Sequence, residues 1–331
     1  MTNNLVLDCI RDGGVIKPLL VSSDRTNGLG LMNPSIYIDN GKITGILRQV
    51  NYTFYHSERK LFQHPYGPLT YIHPENDLKL RTWNWYFELN SELEMTKCVQ
   101  IDTSRFDTYE PLWDFVGLED ARIFRWNSKL YYSGVRRDTT TNGQGRMEIS
   151  ELRVSGPSVF EVSRTRIETP NNVDSYCEKN WMPVLDKPNH YVKWANPTEL
   201  VEVDVLTGES KTVSVSDSVA LPRDLRGGSQ VLSYNGGYIA LTHEVDLFNS
   251  REGRKDAVYY HRFIVWDSDW NIKKCSDAFH FMDADVEFSI GMAELGDSFL
   301  FTFGFQDNAA FVLKAKQSTI LNFIYGTEKN G

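Results

Sequence analysis

The chain of 331 residues is long enough for two ordinary domains or one large repeat fold, and its 41% hydrophobic content suits a soluble protein with a sizeable core. A net charge of −9 argues against general binding of polyanions such as nucleic acid, although it does not exclude a local basic patch. The four cysteines are scattered without zinc-site spacing, and the sequence shows neither a secretion signal nor a membrane span. We therefore expect a cytoplasmic protein with reduced cysteines.

Along the chain, one pattern occurs five times: a cluster of polar residues, a short strand, a tight turn and a second strand. We call each polar cluster a knot. The five knots begin at Asn33, Gly117, Glu178, Arg226 and Glu287. Helical periodicity is sparse between them. Their spacing leaves room for four-stranded propeller blades of roughly 40–50 residues with insertions.

Further strands are expected after the hairpins, at 146–154, 200–206 and 259–266. The sequence therefore predicts an all-β, five-bladed β-propeller that forms a single domain over residues 1–331. The long first interval, with the aromatic stretch 83–87, predicts an elaborated first blade or a lid. A strand at 309–314, or one near 5–10, is expected to close the ring. A β-sandwich with a second domain is the alternative fold.

In a propeller, the first strand of each blade lines the central channel, so the knots are expected to meet at one mouth of it. Polar residues that interrupt the apolar pattern of neighbouring strands join this set. The predicted site comprises Asn33, Glu119, Asp120, Arg122, Lys179, Asn180, Trp181, Arg226, Gln230, His243, Glu244, Tyr260, His261, Arg262 and Glu287, with His56 and Arg136 as further candidates.

The most concentrated knot runs from Gly117 to Arg122. Because side chains alternate along a strand, Asp120 and Arg122 are expected on one face and Glu119 on the other. The alternative is that these residues form a salt bridge at the start of a strand and have no catalytic function.

The composition of the set suggests sugar transfer. The carboxylates Asp120, Glu119, Glu287 and Glu244 are candidates for proton transfer, and the Arg, Lys and His residues for holding a phosphate or diphosphate. Trp181 and Trp85 are candidates for stacking on a sugar or base. Structural roles compete with these: Lys179, His261 and Arg262 suit surface or inter-blade positions, and His243 suits a core.

The sequence Gly117-Leu118-Glu119-Asp120-Ala121-Arg122 resembles the G-x-E-D-P-R motif of the inverting mannoside phosphorylases and the related β-mannosyltransferases, with Ala121 in place of proline. Asn33-Pro34-Ser35 resembles the first-blade motif of the same group. The resemblance implies a five-bladed propeller active on sugars, with Asp120 as general acid. The knots at 178–181 and 226–230 and the stretch 260–263 are more similar to propeller proteins found in glycosyltransferase contexts.

Three functions are compatible with these patterns. The leading hypothesis is a glycosyltransferase with a nucleotide-sugar or sugar-phosphate donor and an acceptor that the sequence does not identify. The alternatives are a mannoside phosphorylase or glycosidase, and a propeller that binds glycan or protein without catalysis. Asp283-Ala284-Asp285 spells the D-x-D triplet of metal-dependent transferases, but we expect it in a loop. We predict metal-independent chemistry without a cofactor.

Overall fold

The computed structural model describes residues 3–53, 61–64, 67–71, 79–221, 223–249 and 255–326. It confirms the all-β, five-bladed propeller and rules out the β-sandwich, because five separate antiparallel sheets follow one another along the chain. From first to fourth strand, blade 1 comprises Leu31–Asp39, Lys42–Val50, Leu80–Leu89 and Met95–Gln100; blade 2, Glu119–Trp126, Lys129–Arg136, Arg146–Ser155 and Ser158–Arg166; blade 3, Met182–Pro183, His190–Ala195, Thr198–Val203 and Ser210–Val215.

The remaining two blades complete the ring. Blade 4 comprises Arg226–Gly227 with Leu232–Tyr234, then Gly237–Asn249, Lys255–Trp266 and Ile272–Cys275; blade 5 comprises Glu287–Leu295, Ser298–Phe305, Ala309–Lys316 and Val15–Pro18. Short elements outside the blades are the strands Asn3–Asn4, Phe115–Val116 and Phe279–His280, the helices Leu5–Arg11, Ser23–Thr26 and Gln317–Tyr325, and a 3₁₀ turn at Pro170–Asn172.

Tight turns form the hairpins between first and second strands. Asn40 and Gly41 have φ of 51° and 80°, and Asn235 and Gly236 have φ of 45° and 75°. Two consecutive residues with positive φ make the type I′ turn, whose twist matches that of the flanking strands, and Asn-Gly is its preferred sequence. The local sequence therefore sets the register of these blades.

The strand predicted at 309–314 is confirmed as Ala309–Lys316, the third strand of blade 5, and the N-terminal strand that pairs with it is not the one predicted. Val15–Pro18 pairs antiparallel with Ala309–Lys316 and becomes the outer strand of blade 5. The expected strand near residues 5–10 is wrong: Leu5–Arg11 is a helix, capped by the Asn4 side chain, which accepts a hydrogen bond from the Leu7 amide at 3.1 Å. Its buried residues, which include Leu5 and Cys9, are at helical spacing and pack against blades 4 and 5.

The elaborated first blade is confirmed. A small sheet of Tyr52–Thr53, Leu61–His64 and Gly67–Tyr71 is inserted between its second and third strands. The aromatic stretch 83–87 is not a lid, because it lies within the third strand, Leu80–Leu89. The strands predicted at 146–154, 200–206 and 259–266 are the third strands of blades 2, 3 and 4.

The first strands of blades 1, 2 and 5 contact one another around the axis, as do those of blades 2 and 3, and the second strands of blades 3 and 4 contact the first strand of the following blade. Gln230 joins three blades there: its Nε2 donates to the carbonyls of Ile36 at 2.8 Å and Ile123 at 2.6 Å. Buried hydrogen bonds between blades fix their relative positions, so residues at the starts of the first strands are held on a rigid frame. Within the described residues, no helix is both long and apolar enough to cross a membrane.

Candidate functional site

A cavity of about 170 Å³ lies at the mouth where the first strands begin, and all five blades contribute to its wall. Its lining residues are Met32, Asn33, Arg48, Tyr52, Glu119, Asp120, Lys179, Asn180, Arg226, His243, Tyr259, Phe288 and Asp307. The structure thus brings together seven of the predicted site residues: Asn33, Glu119, Asp120, Lys179, Asn180, Arg226 and His243.

One side of the cavity carries two carboxylates held by Arg48. Its Nη1 donates to Asp120 Oδ1 at 2.9 Å, and its Nη2 lies 3.4 Å from Glu119 Oε2. The same guanidinium donates to the Tyr52 hydroxyl at 2.7 Å, and Asn33 Nδ2 donates to Asp120 Oδ1 at 2.9 Å. We call Asn33, Arg48, Glu119 and Asp120 the acid side.

The acid side keeps Asp120 ionised. Burial raises the pKa of this carboxyl, but the Arg48 charge and the hydrogen bond from Asn33 outweigh burial, so the pKa is lowered. Among the described residues, Asn33 and Arg48 donate hydrogen bonds to the Asp120 carboxylate, and both bonds are accepted by Oδ1. Its other oxygen is therefore available to a ligand in the cavity.

A β-bulge places both acids on the cavity wall. The pairing of blade 2 shifts register between Glu119 and Arg122, and Asp120 has φ of 49°. The expectation from strand alternation is therefore wrong at this point: Glu119 and Asp120 face the cavity together, and Arg122 does not line it. Bulges commonly redirect side chains in this way.

The backbone before the acids is held by Asp138. Gly117 has φ of 99°, and a Cβ there would lie 2.3 Å from the Thr82 carbonyl oxygen, so this position requires glycine. The Gly117 amide donates to Asp138 Oδ2 at 3.0 Å, and Asp138 is in turn paired with Arg136 at 3.4 Å. Arg136, a further candidate in the sequence, thus supports the Gly117 loop from behind the cavity.

A second part of the cavity wall, contributed by the knots of blades 3 and 4, carries positive charge. Lys179 is exposed and Arg226 is half-buried, and both line the cavity. Among the described residues, neither has a carboxylate or hydrogen-bond partner for its charged group. We call Lys179 and Arg226 the cation side, which is suited to binding an anion.

His243 lies in the wall near the cation side, with its ring packed against Phe288 at 4.6 Å between centroids. Its pKa is lowered well below 6.5, first by burial and then by His261, Arg226, Arg122 and Lys179. The ring is therefore neutral, and its Nδ1 is buried without a hydrogen-bond partner among the described residues. A neutral imidazole of this kind can donate one hydrogen bond to a ligand.

Two predicted site residues instead tie the knots together behind the wall. Arg122 is buried; its Nε donates to the Gly228 carbonyl at 2.9 Å and its Nη1 to the Asp120 carbonyl at 2.8 Å. Burial lowers its pKa to about 10. Gln230 makes the inter-blade hydrogen bonds described above. Neither side chain lines the cavity.

Glu287 and Trp181 also lie outside the cavity. The Glu287 carboxylate is buried and accepts hydrogen bonds from the amides of Phe281, Met282 and Ala284 at 2.5, 2.8 and 2.9 Å. Burial raises its pKa despite these bonds. Trp181 is packed in the core between blades 2 and 3, and Trp85 is likewise buried.

The remaining predicted residues belong to blade 4. Glu244 is buried and paired with Arg262 and, at 3.4 Å, with Arg223. Tyr260 is covered by Arg223, whose guanidinium carbon lies 5.0 Å from the ring centroid. His261 accepts a hydrogen bond from the Ser289 amide at 3.2 Å, and burial lowers its pKa to about 3. None of these side chains lines the cavity. His56 lies outside the described residues.

The sequence did not identify six of the cavity residues: Met32, Arg48, Tyr52, Tyr259, Phe288 and Asp307. Arg48 could have been recognised from the sequence, because it interrupts the largely apolar strand Lys42–Val50. His243 interrupts the strand Gly237–Asn249 in the same way. Tyr259 directly precedes the predicted stretch 260–262. Asp307 lies in a turn of blade 5, where nothing in the sequence distinguishes it from an ordinary turn residue.

The described residues contain no group of three or more His, Cys, Asp or Glu side chains arranged to hold a metal ion. Asp283 and Asp285 lie in the loop before blade 5, as predicted. They stand on either side of Ala284, whose amide donates a hydrogen bond to Glu287.

The fold has many counterparts among solved structures. A glycosyl hydrolase from Bacteroides ovatus matches with 12% identity and a TM-score of 0.60 over 88% of this chain and 85% of its own. A β-1,2-mannobiose phosphorylase from Listeria innocua, in complex with β-1,2-mannobiose, matches with 12% identity and a TM-score of 0.55 over 89% and 92%.

A mannose phosphorylase from Leishmania mexicana, in complex with a phosphate ion, matches with 12% identity and a TM-score of 0.50 over 91% and 88%. No protein-family model and no curated protein matches the sequence. At such low identity, these likenesses show that the chain shares the five-bladed fold of those proteins.

Proposed function

We propose that the protein is a glycoside phosphorylase that exchanges a mannoside-like glycosidic bond for a bond to phosphate. The observation that carries this proposal is the division of one cavity into an acid side and a cation side. Asp120 and Glu119 line the same cavity as Lys179 and Arg226, which have no carboxylate partner in the described part of the chain. The phosphorylases among the fold neighbours add support.

In the direction of synthesis, an acceptor hydroxyl attacks the anomeric carbon of a sugar phosphate. The C–O bond to phosphate breaks, and the hydroxyl proton goes to a base. Asp120, whose pKa is lowered, is in the carboxylate form that this step requires. In the reverse direction, hydrogen phosphate attacks the anomeric carbon as the glycosidic C–O bond breaks, and the proton of the phosphate reaches the departing oxygen by way of Asp120. Lys179, Arg226 and the neutral His243 bind the phosphate oxygens and stabilise their charge.

Transfer from a nucleotide sugar, the leading hypothesis from sequence, receives less support. The fold neighbours described above are two phosphorylases and a glycosyl hydrolase, and these support phosphorolysis or hydrolysis of a glycoside in preference to transfer from a nucleotide sugar.

The first test is an activity assay with β-1,2-mannobiose and inorganic phosphate, in which mannose 1-phosphate is quantified, and the reverse assay with mannose 1-phosphate and mannose. We expect turnover in both directions. Asp120→Asn should lower kcat by about 10²–10⁴-fold, because it removes the acid–base group. The rise in Tm caused by phosphate should remain, because the cation side is intact.

Glu94→Gln, an exposed carboxylate on the edge of blade 1, is the matched control and should leave kcat unchanged. Consumption of nucleotide sugars in place of sugar phosphate would replace the proposal with the glycosyltransferase. Glycan binding that Asp120→Asn leaves intact, without turnover of any donor, would favour the non-catalytic propeller.

A further inference from the structure

A second pocket, of about 190 Å³, adjoins the central cavity between blades 3 and 4. It shares Lys179, Asn180 and Arg226 with the cavity, so the two spaces meet at the cation side. Its outer part is lined by Glu178, Lys193 and Trp194. A ligand that extends beyond the central cavity in this direction would reach these residues.

Trp194 is unusual among the tryptophans. All eight lie in the described part of the chain, and Trp194, at 47% exposure, is the one classed as exposed. The pairing of blade 3 shifts register between Val192 and Trp194, so a bulge sets the direction of this side chain. An exposed indole that lines a pocket offers a flat apolar surface on which a ring can stack.

Beside the indole lies an ion pair with both kinds of hydrogen-bonding group. Lys193 Nζ lies 3.4 Å from Glu178 Oε1, and Glu178 Oε2 is held by the Trp181 indole N–H at 3.1 Å. The Glu178 carboxylate is thus an acceptor and the Lys193 ammonium a donor, and their ion pair holds both groups in place next to each other. Neighbouring hydroxyls on a pyranose ring can bond to both at once, while the apolar face of the ring covers the indole.

We propose that this pocket is a second sugar subsite, in which Trp194 supports an uncharged pyranose of an oligosaccharide whose reacting ring occupies the central cavity. The inference rests on the proposed function, because it specifies that the substrate is an oligosaccharide with further rings beyond the bond that reacts.

The test measures binding by calorimetry, independently of turnover, with β-1,2-linked manno-oligosaccharides of two, three and four sugars and with phosphate alone. We expect affinity to rise when the chain becomes long enough to reach Trp194. Trp194→Ala should remove that gain, about tenfold in Kd, and Trp194→Phe should restore part of it. The Kd values of the disaccharide and of phosphate should not change.

Leu206→Ala removes another exposed apolar side chain from blade 3 and is the control, with no effect on any Kd. Affinity that does not depend on chain length, or an equal loss for all lengths in Trp194→Ala, would overturn the subsite while leaving the proposed function intact. If the wild-type protein binds phosphate but no oligosaccharide, the proposed function itself fails. Binding of uridine or adenosine diphosphate that Trp194→Ala abolishes would replace the sugar with a nucleobase.

Discussion

The two sides of the central cavity differ in how their charges are satisfied. On the acid side, Arg48 is 8% exposed and pairs with both Glu119 and Asp120, while Asn33 and Tyr52 complete the network. On the cation side, Lys179 and Arg226 have no carboxylate partner among the described residues. The acid side is therefore built into the fold, whereas the cation side is free of ion pairs with the described residues, as the proposed phosphate site requires.

The acid side should be costly to break. Arg48→Met leaves two mostly buried carboxylates without their cation, and we expect it to lower the free energy of unfolding by about 3 kcal/mol, measured by chemical denaturation. It should also raise the pKa of Asp120, because the Arg48 charge is the leading cause that lowers it. The pH dependence of kcat would report this second change.

The control for this variant is Arg125→Met. Arg125 pairs with Asp39 at 2.5 Å near the ends of the first strands of blades 1 and 2, away from the cavity, and the two side chains are 30% and 21% exposed. Loss of such a solvent-accessible pair should cost less than about 1 kcal/mol. Equal losses in the two variants would show that the acid side is no more essential to the fold than a partly exposed ion pair.

The cation side should respond in the opposite way. Lys179→Ala and Arg226→Ala should each weaken phosphate binding about tenfold, measured by calorimetry, because each removes a charge-assisted hydrogen bond. Stability without ligand should remain unchanged, because no ion pair with a described residue is lost. Lys273→Ala, which removes an exposed lysine of blade 4, is the charge-matched control. Unchanged phosphate affinity in both cavity variants would contradict the assignment of the anion site.

The sequence predicted those features of the site that depend on local residue patterns, and it did not predict the direction of individual side chains. Short Asn-Gly turns and alternating strands are local, so the hairpins and the propeller were predictable. The convergence of Asn33, Asp120, Lys179 and Arg226 followed from the fold. The face on which each knot residue lies did not, because a bulge and the φ of Asp120 override strand alternation.

Burial was the other quantity that the sequence did not reveal. Glu244 and Glu287 look like catalytic carboxylates in the sequence, yet an arginine pair satisfies the first and three backbone amides satisfy the second. Polar residues inside a propeller are needed to join blades as well as to bind ligands. Their neighbours in space decide between these roles, and those neighbours are distant in sequence.

The two sides should also respond to acid over different pH ranges. The pKa of His243 is lowered in the folded protein, from an unfolded value near 6.5, by burial first and then by His261, Arg226, Arg122 and Lys179. Its contribution to stability is therefore complete above about pH 6.5 and is lost as pH falls, because the unfolded chain takes up the proton first. The lowered pKa of Asp120 acts in the same direction, but only below about pH 4.

His243→Gln should therefore flatten the decline in unfolding free energy between about pH 6.5 and pH 4, by at most about 1.4 kcal/mol per pH unit. Above pH 7, the difference between wild type and variant should not depend on pH. Bound phosphate should reduce the effect, because it offsets the charges of Lys179 and Arg226 that disfavour protonation of His243. Denaturation curves at each pH, with and without phosphate, measure all three outcomes. Parallel curves throughout would mean that His243 has the same pKa in the folded protein as in the unfolded chain, and the cation side would then lack a donor that stays neutral below pH 6.5.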